Sequence, residues 1–416
     1  IGQRPEMTGS GIYLEAMIRE SQKHGFSNYR IAGVPAGNIP SLKDRPQTEG
    51  ACVLFESESL NFPVTGMSDV MPYKSSLFKD LKGRRLTSYK SAFTHVLEDA
   101  VNQFNPDIIH TNHLFLLSAL VKKLFPTMPI VATCHGTELR QYNNCPHLRR
   151  FVKRYCRGLD KIIALTNDQK RNIHRLYGIP LNQIIVVGGG YDQTMFTRSP
   201  KSPAGTVHIL YAGKFNSSKG VPWLLRSLTK IKHHDWDLHM AGSGKGQEYN
   251  HCIELAEKLG RKVTNHGYVT HHQLSELMKK AHIQVLPSFF EGLPLVLFEG
   301  LASGCRIITT DLSGFDEIFG NASRETIDLI QLPPLETIDR PYRKDEAQLE
   351  DALCQRILDM MAVVRNSPDV VDPQAEKIAS HYTWPRVFER TLSVYRDAID
   401  QKAGSGSPSP VKGPRT

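Results

Sequence analysis

The chain has 416 residues, 40% hydrophobic and 22% charged, which excludes a wholly disordered protein and favours two domains over one core. No apolar run approaches the roughly 20 residues of a membrane span. The seven cysteines are scattered, with no CxxC pair and no zinc-type spacing, so we expect reduced thiols in a cytoplasmic protein. The net charge of +9 is unevenly placed: residues 1–190 hold 24 Lys+Arg against 15 Asp+Glu, the remainder 27 against 27. Such asymmetry points to an anionic partner for the first half. The basic residues come without interleaved aromatics at the spacing of a binding module and no nucleic-acid motif is present, which excludes nucleic acid.

In chain order, "TGSGIY" is a Gly-rich turn where a strand would end, so residues ahead of Ile1 are expected. Gly9 and Gly11 let the backbone approach a ligand, and the following helix offers N–H groups to an anion. "SAFTHVLEDAVNQF" reads as a helix, and "DIIHTNH" and "IVATCHG" as buried parallel strands. "CHGTEL" closes the latter with a polar, close-approach turn that presents His135. "HLRRFVKRYCR" is an amphipathic helix with Arg149, Arg150, Lys153, Arg154 and Arg157, either a solvated face or a face for anionic lipid. "KIIALTN" and "QIIVVGGG" are two more strands.

The segment "YDQTMFTRSPKSPAGT", rich in Pro, Ser and Thr, marks a domain boundary. Beyond it, "HILYAGK", "DLHMAGSG", "IQVLPS" and "RIITTD" are strands and "HQLSELMKKA" a helix. The alternation predicts an α/β protein of two doubly wound, Rossmann-like domains with a cleft between them. In "YAGKFNSSKGVPWLL", Gly213 ends a strand, Lys214 and Lys219 lie five apart, and Gly220 opens a helix, a pattern suited to paired phosphates. It is not a Walker A loop. Asp235 and Asp237 in "HHDWDLH" spell D-x-D, which we read as a polar lead-in to a strand, because a hard cation needs more oxygen ligands. In "PSFFEGLPLVLFEGLASG", Glu291 falls in a strand-to-helix turn and Glu299 about two turns into the helix, unusual acids in an apolar run. Paired acceptors of this kind suit sugar or ribose hydroxyls. Residues 331–347 read as a long surface loop, 375–400 as terminal helices, and 403–416 as a disordered tail.

Together these segments resemble the large GT-B family of retaining glycosyltransferases (family 4-like), which includes bacterial α-mannosyltransferases and lipopolysaccharide and exopolysaccharide transferases. The resemblance runs from "TGSGIYLEAM" to "YTWPRVFERTLSVY", and the E-x7-E element is its most specific piece. It implies an acceptor-binding domain over 1–190, a linker over 191–206, a nucleotide-sugar-binding domain over 207–375, and helices over 376–402 that cross back to the first domain. It implies that Glu291 binds donor sugar hydroxyls and Glu299 the ribose. The N–H groups of Gly292, Leu293 and Leu295 would meet sugar or phosphate, and Lys219 would neutralise the diphosphate beside Gly213. Lys214 stands where the family usually has arginine, a point charge in place of a bidentate fork. Pro294 replaces a glycine of some members and removes one N–H donor. His135 would sit beside the anomeric carbon. Gly9, Ser10 and Gly11 would approach phosphates and acceptor, and Ser243 and Tyr268 lie near the expected base.

The activity implied is metal-independent hexosyl transfer with retention, from a nucleotide-sugar, a UDP-sugar as the commoner donor ahead of GDP-mannose, to a glycan, lipid-linked or small acceptor. No cofactor is implied, and the enzyme would be cytoplasmic, peripheral on the inner membrane face. The alternative is a degenerate, non-catalytic copy that binds nucleotide-sugars or serves as a partner subunit. A phosphorylase or epimerase of this fold fits less well, because the pyridoxal-type phosphorylases are far longer and an epimerase needs further carboxylates.

Overall fold

The computed structural model describes residues 8–37, 48–68, 71, 73–203, 205–369 and 372–405. The chain divides into two compact units, 1–189 with 384–416, and 190–383. Each has its own apolar core.

In the first unit, four parallel strands stand in sequence order: Ile109–Asn112, Ile130–Thr133, Lys161–Ala164 and Ile184–Val186. The two middle strands are buried at every residue, as a sheet covered on both faces requires, and the two outer strands are buried in part. A separate parallel pair, Asn28–Pro35 with Thr48–Phe55, was not anticipated. Its "IAGV" centre is small because Gly33 lies under the rings of Phe55 and Phe93. The last helix, Trp384–Ser405, belongs to this unit although it follows the second in sequence. It buries Val387, Phe388, Val394 and Ala398. His110 Nδ1 lies 2.6 Å from Tyr395 Oη, and Arg390 Nε donates to the Val187 carbonyl at 3.0 Å. Two expectations change here. Residues 403–405 are helical rather than tail, while 406–416 lie outside the described residues. Gly9 and Gly11 are not a turn ahead of a helix but the first turn of helix Gly9–Lys23 itself, because Thr8 Oγ1 accepts from Gly11 N at 3.1 Å and caps it.

The second unit holds a six-stranded parallel sheet. Its order is Val263–Gly267, Trp236–Ala241, Val207–Ala212, Ile283–Leu286, Arg306–Thr310, Ile327–Ile330. Numbered within the unit this is 3-2-1-4-5-6, the doubly wound order in which ligands bind outside the carboxyl ends of strands 1 and 4. Residues 331–347 are not a plain loop. They form an antiparallel hairpin, Leu335–Thr337 with Arg340–Pro341, then a short turn into helix Glu346–Asn366.

Candidate active site

The switch point of the six-stranded sheet lies between Val207–Ala212 and Ile283–Leu286, and the loop after each strand carries the expected residues. After the first, Tyr211 is buried and its hydroxyl donates to the Lys214 carbonyl at 2.7 Å. Gly213 N donates to the Ala241 carbonyl, and Phe215 N to the Ser243 carbonyl at 3.0 Å. Asn216 Oδ1 then accepts from Lys219 N at 3.0 Å and closes the turn Ser217–Lys219. Gly220 follows at φ 68°, and a side chain there would overlap the Pro287 carbonyl. Phe289 N donates to the Ser218 carbonyl at 2.9 Å, so the two loops are tied together.

That tie brings the charged groups into register. Lys219 Nζ lies 2.6 Å from Glu291 Oε2, and the buried Ser288 hydroxyl donates to Glu291 Oε1 at 2.7 Å. Lys214 is exposed, and desolvation first, then the charge of Lys219, lowers its pKa. The backbone N–H groups of Gly292, Leu293 and Leu295 have no hydrogen-bond partner among the described residues. Two ammonium groups and three unpaired N–H donors thus stand on the two tied loops and the helix start, donor types that suit an anion.

Pro294 caps helix Leu295–Ala302, so Glu299 lies just over one turn in, not two. The residue is 8% exposed, and its carboxyl has no hydrogen-bond or ion-pair partner among the described residues. Desolvation raises its pKa to about 8. A buried acid without a partner costs free energy unless a ligand completes it. Ser243 is exposed and contributes its carbonyl to the loop, and Tyr268 is 76% exposed beyond the edge strand.

In the first unit a second cluster forms around His135. Its Nε2 lies 2.9 Å from Asn112 Oδ1, which can only accept, so Nε2 carries the proton. The Tyr13 ring meets it edge-on at 5.0 Å. Desolvation, then the neighbouring His113, lowers its pKa to about 3, which leaves it neutral at ordinary pH. Three neighbours were missed in the sequence: Asn112, His113 and Glu138. His113 adopts φ 74°, uncommon for a residue with a side chain, and its Nε2 lies 3.1 Å from Ser10 Oγ. Glu138 is fully buried and accepts from His135 N at 2.7 Å and Leu114 N at 3.1 Å. Burial opposes its ionisation, but His113, 3.5 Å away at Nδ1, then His135 and a backbone donor more than offset this and hold the carboxyl at about 2. The available signal was an acid three residues after the histidine, at the start of helix Thr137–Asn144.

Two family models match consecutive stretches: Glycosyltransferase Family 4 over residues 75–194 and Glycosyl transferases group 1 over 192–327. A glycogen synthase of Mycobacterium tuberculosis is 26% identical over 320 residues, covering 74% of this chain and 72% of that one. The solved sucrose-phosphate synthase of Thermosynechococcus elongatus superposes with a TM-score of 0.70 at 18% identity, over 96% of both chains. A structure from E. coli described as "Trehalose-6-phosphate … bound with UDP-2-fluoro glucose" gives 0.66 at 13% identity, over 94% of this chain and 97% of that one. With two parallel α/β units and two glycosyltransferase models end to end, the chain belongs to the family 4-like glycosyltransferases of GT-B fold.

Proposed function

We propose that this glycosyltransferase moves a hexosyl group from a nucleotide-diphosphate sugar to an acceptor hydroxyl, with retention of anomeric configuration and no metal at the donor. The reading is carried by the groups at the sheet's switch point: Lys214, Lys219, three unpaired N–H donors and two glutamates. Lys219, Lys214 and the helix N–H groups stabilise the charge that grows on the leaving diphosphate. Glu291, preset by Ser288 and Lys219, accepts from sugar hydroxyls, and Glu299 from the ribose diol. Ser243 and Tyr268 flank the base. In the first unit, neutral His135 hydrogen-bonds the transferred sugar, and Gly9, Ser10 and Gly11 approach substrate. A UDP-sugar is favoured over GDP-mannose, supported by the UDP-sugar in the E. coli structure. The acceptor is a glycan, glycolipid or small hydroxyl compound. The excess positive charge of residues 1–190 favours an anionic one and contact with an anionic bilayer. No described helix is long and apolar enough to cross a membrane.

The test is a thermal-shift series with UDP, GDP, ADP and their sugars, with and without EDTA, read as increments over the ligand-free baseline in each buffer. One nucleotide family should raise the melting temperature equally in both buffers. No shift with any nucleotide would refute the donor site. Glu291→Ala should keep the fold and lower kcat/KM by about 10²–10³-fold, and unchanged turnover would remove Glu291 from the site. An inverted product by NMR would overturn retention.

A further inference from the structure

Two adjacent strands of the second unit carry, on one face, a cluster that the donor site does not use. His208 is the second residue of Val207–Ala212, and Asp237 and His239 the second and fourth of Trp236–Ala241. His208 and Asp237 are register partners, and two residues along a strand return to the same face, so all three side chains share one face of the sheet. One ligand atom from each lies within 4.8 Å of the other two. His208 Nδ1 is 2.8 Å from Asp237 Oδ1, and His239 Nε2 is 3.4 Å from the same oxygen. The three are 30–37% exposed, so a cation can reach them.

We infer that His208, Asp237 and His239 bind a divalent first-row transition metal, of which zinc is the type. Two imidazoles and one carboxylate are the donor set of such ions, and too poor in oxygen for calcium or magnesium. With metal–ligand bonds near 2.0–2.1 Å, tetrahedral neighbours lie about 3.4 Å apart, so small side-chain rotations suffice. Both imidazoles are already oriented by further neighbours, as metal-bound histidines are. His239 Nδ1 lies 2.9 Å from His266 Nε2, which turns its Nε2 toward Asp237. The His208 ring stacks on His282 at 5.2 Å with a 16° tilt. His282 is no ligand: it is buried, accepts from His208 N and bonds the Ser202 carbonyl. Asp235, the other acid of the D-x-D pair, takes no part; Asp237 does so through two histidines that D-x-D spacing does not reveal. Five residues separate His208 from Gly213, about 17 Å of extended strand. The metal therefore clamps two neighbouring strands within the sheet, away from the donor loops, and stabilises the unit without entering the reaction.

The test uses the full chain without a polyhistidine tag, stripped with a chelator and dialysed against ZnCl2. Metal analysis should find one retained zinc per chain, and zinc should raise the melting temperature. Asp237→Asn and His239→Ala, checked for folding by circular dichroism, should each weaken zinc binding at least 10-fold and abolish the zinc-dependent shift. His208→Gln provides a third variant if one of these fails to fold. His233→Ala/His234→Ala removes two histidines outside the cluster and should bind zinc as the parent does. Absence of stoichiometric zinc, undiminished binding in the folded cluster variants, or its loss in the His233/His234 variant would each overturn the assignment.

Discussion

Glu138 and Glu299 are both buried, yet their surroundings push them in opposite directions. Glu138 has a histidine and two backbone donors around it, and its carboxyl stays ionised. Glu299 has no partner, and its carboxyl holds a proton to about pH 8. Linkage gives the two opposite pH signatures. For Glu138 the folded pKa is below the ordinary value, so its stabilisation is present above about pH 4.5 and is lost as pH falls toward 2. Glu138→Gln should cost roughly 1–3 kcal/mol at neutral pH, and the gap to wild type should close in acid. For Glu299 the folded pKa is above the ordinary value. The unfolded chain gives up its proton first, so wild-type stability declines as pH rises from about 4.5 to 8. Glu299→Gln should therefore gain thermal stability over the parent across that window, by up to a few kcal/mol, and lose nucleotide affinity. Chemical denaturation at pH 3, 5, 7 and 9 measures both. A Glu299→Gln protein that is no more stable at pH 9 than at pH 5, relative to wild type, would mean that Glu299 is not an unpartnered acid.

At the scale of elements, helix Leu295–Ala302 is held against its sheet by a missing side chain. A Cβ on Gly300 would overlap Gln284 Oε1 and press on Ile307. Gln284 cannot yield easily, since its Nε2 donates to the Val296 carbonyl of the same helix at 3.0 Å. Gly300→Ala should thus destabilise by about 1–3 kcal/mol despite alanine's better helix propensity, and should weaken donor binding by displacing Glu299. A melting temperature at or above the parent's would show that the helix does not pack this closely. The same elements show what the sequence reveals. The central strands "HILYAG", "IQVL" and "RIITT" are legible because burial on both faces demands continuous β-branched runs. Edge strand Val263–Gly267 is half exposed and polar, and so does not stand out as a strand. The hairpin at 335–341 is hidden by Pro341 within it and by Pro333 and Pro334 just before it. In the site, Lys219, Glu291 and Glu299 stand out because charge is out of place among apolar neighbours. Asn112, His113 and Glu138 do not, because their meaning lies in hydrogen bonds between separate segments.

At the scale of the whole molecule, the charge asymmetry acquires a location. Helix Pro146–Cys156 buries Leu148, Val152 and Cys156 and turns Arg150, Lys153 and Arg154 to solvent. Arg149 is different: its guanidinium bonds the Tyr142 and Asn143 carbonyls and so closes the preceding helix. A test of the membrane reading must leave it alone, or a loss of binding could reflect a loosened helix end. Arg150, Lys153 and Arg154 have no ion-pair partner among the described residues, and surface lysines and arginines contribute about 1 kcal/mol each toward an anionic bilayer. Changing these three to Ser should lower the partition coefficient onto vesicles of anionic phospholipid by about two orders of magnitude at low salt. The difference should shrink as ionic strength rises, because screening removes the same term. Binding to neutral phosphatidylcholine vesicles should not change. Equal sedimentation of parent and variant with anionic vesicles would assign the face to ordinary solvation, and the positive charge of the first unit would then answer to an anionic acceptor instead.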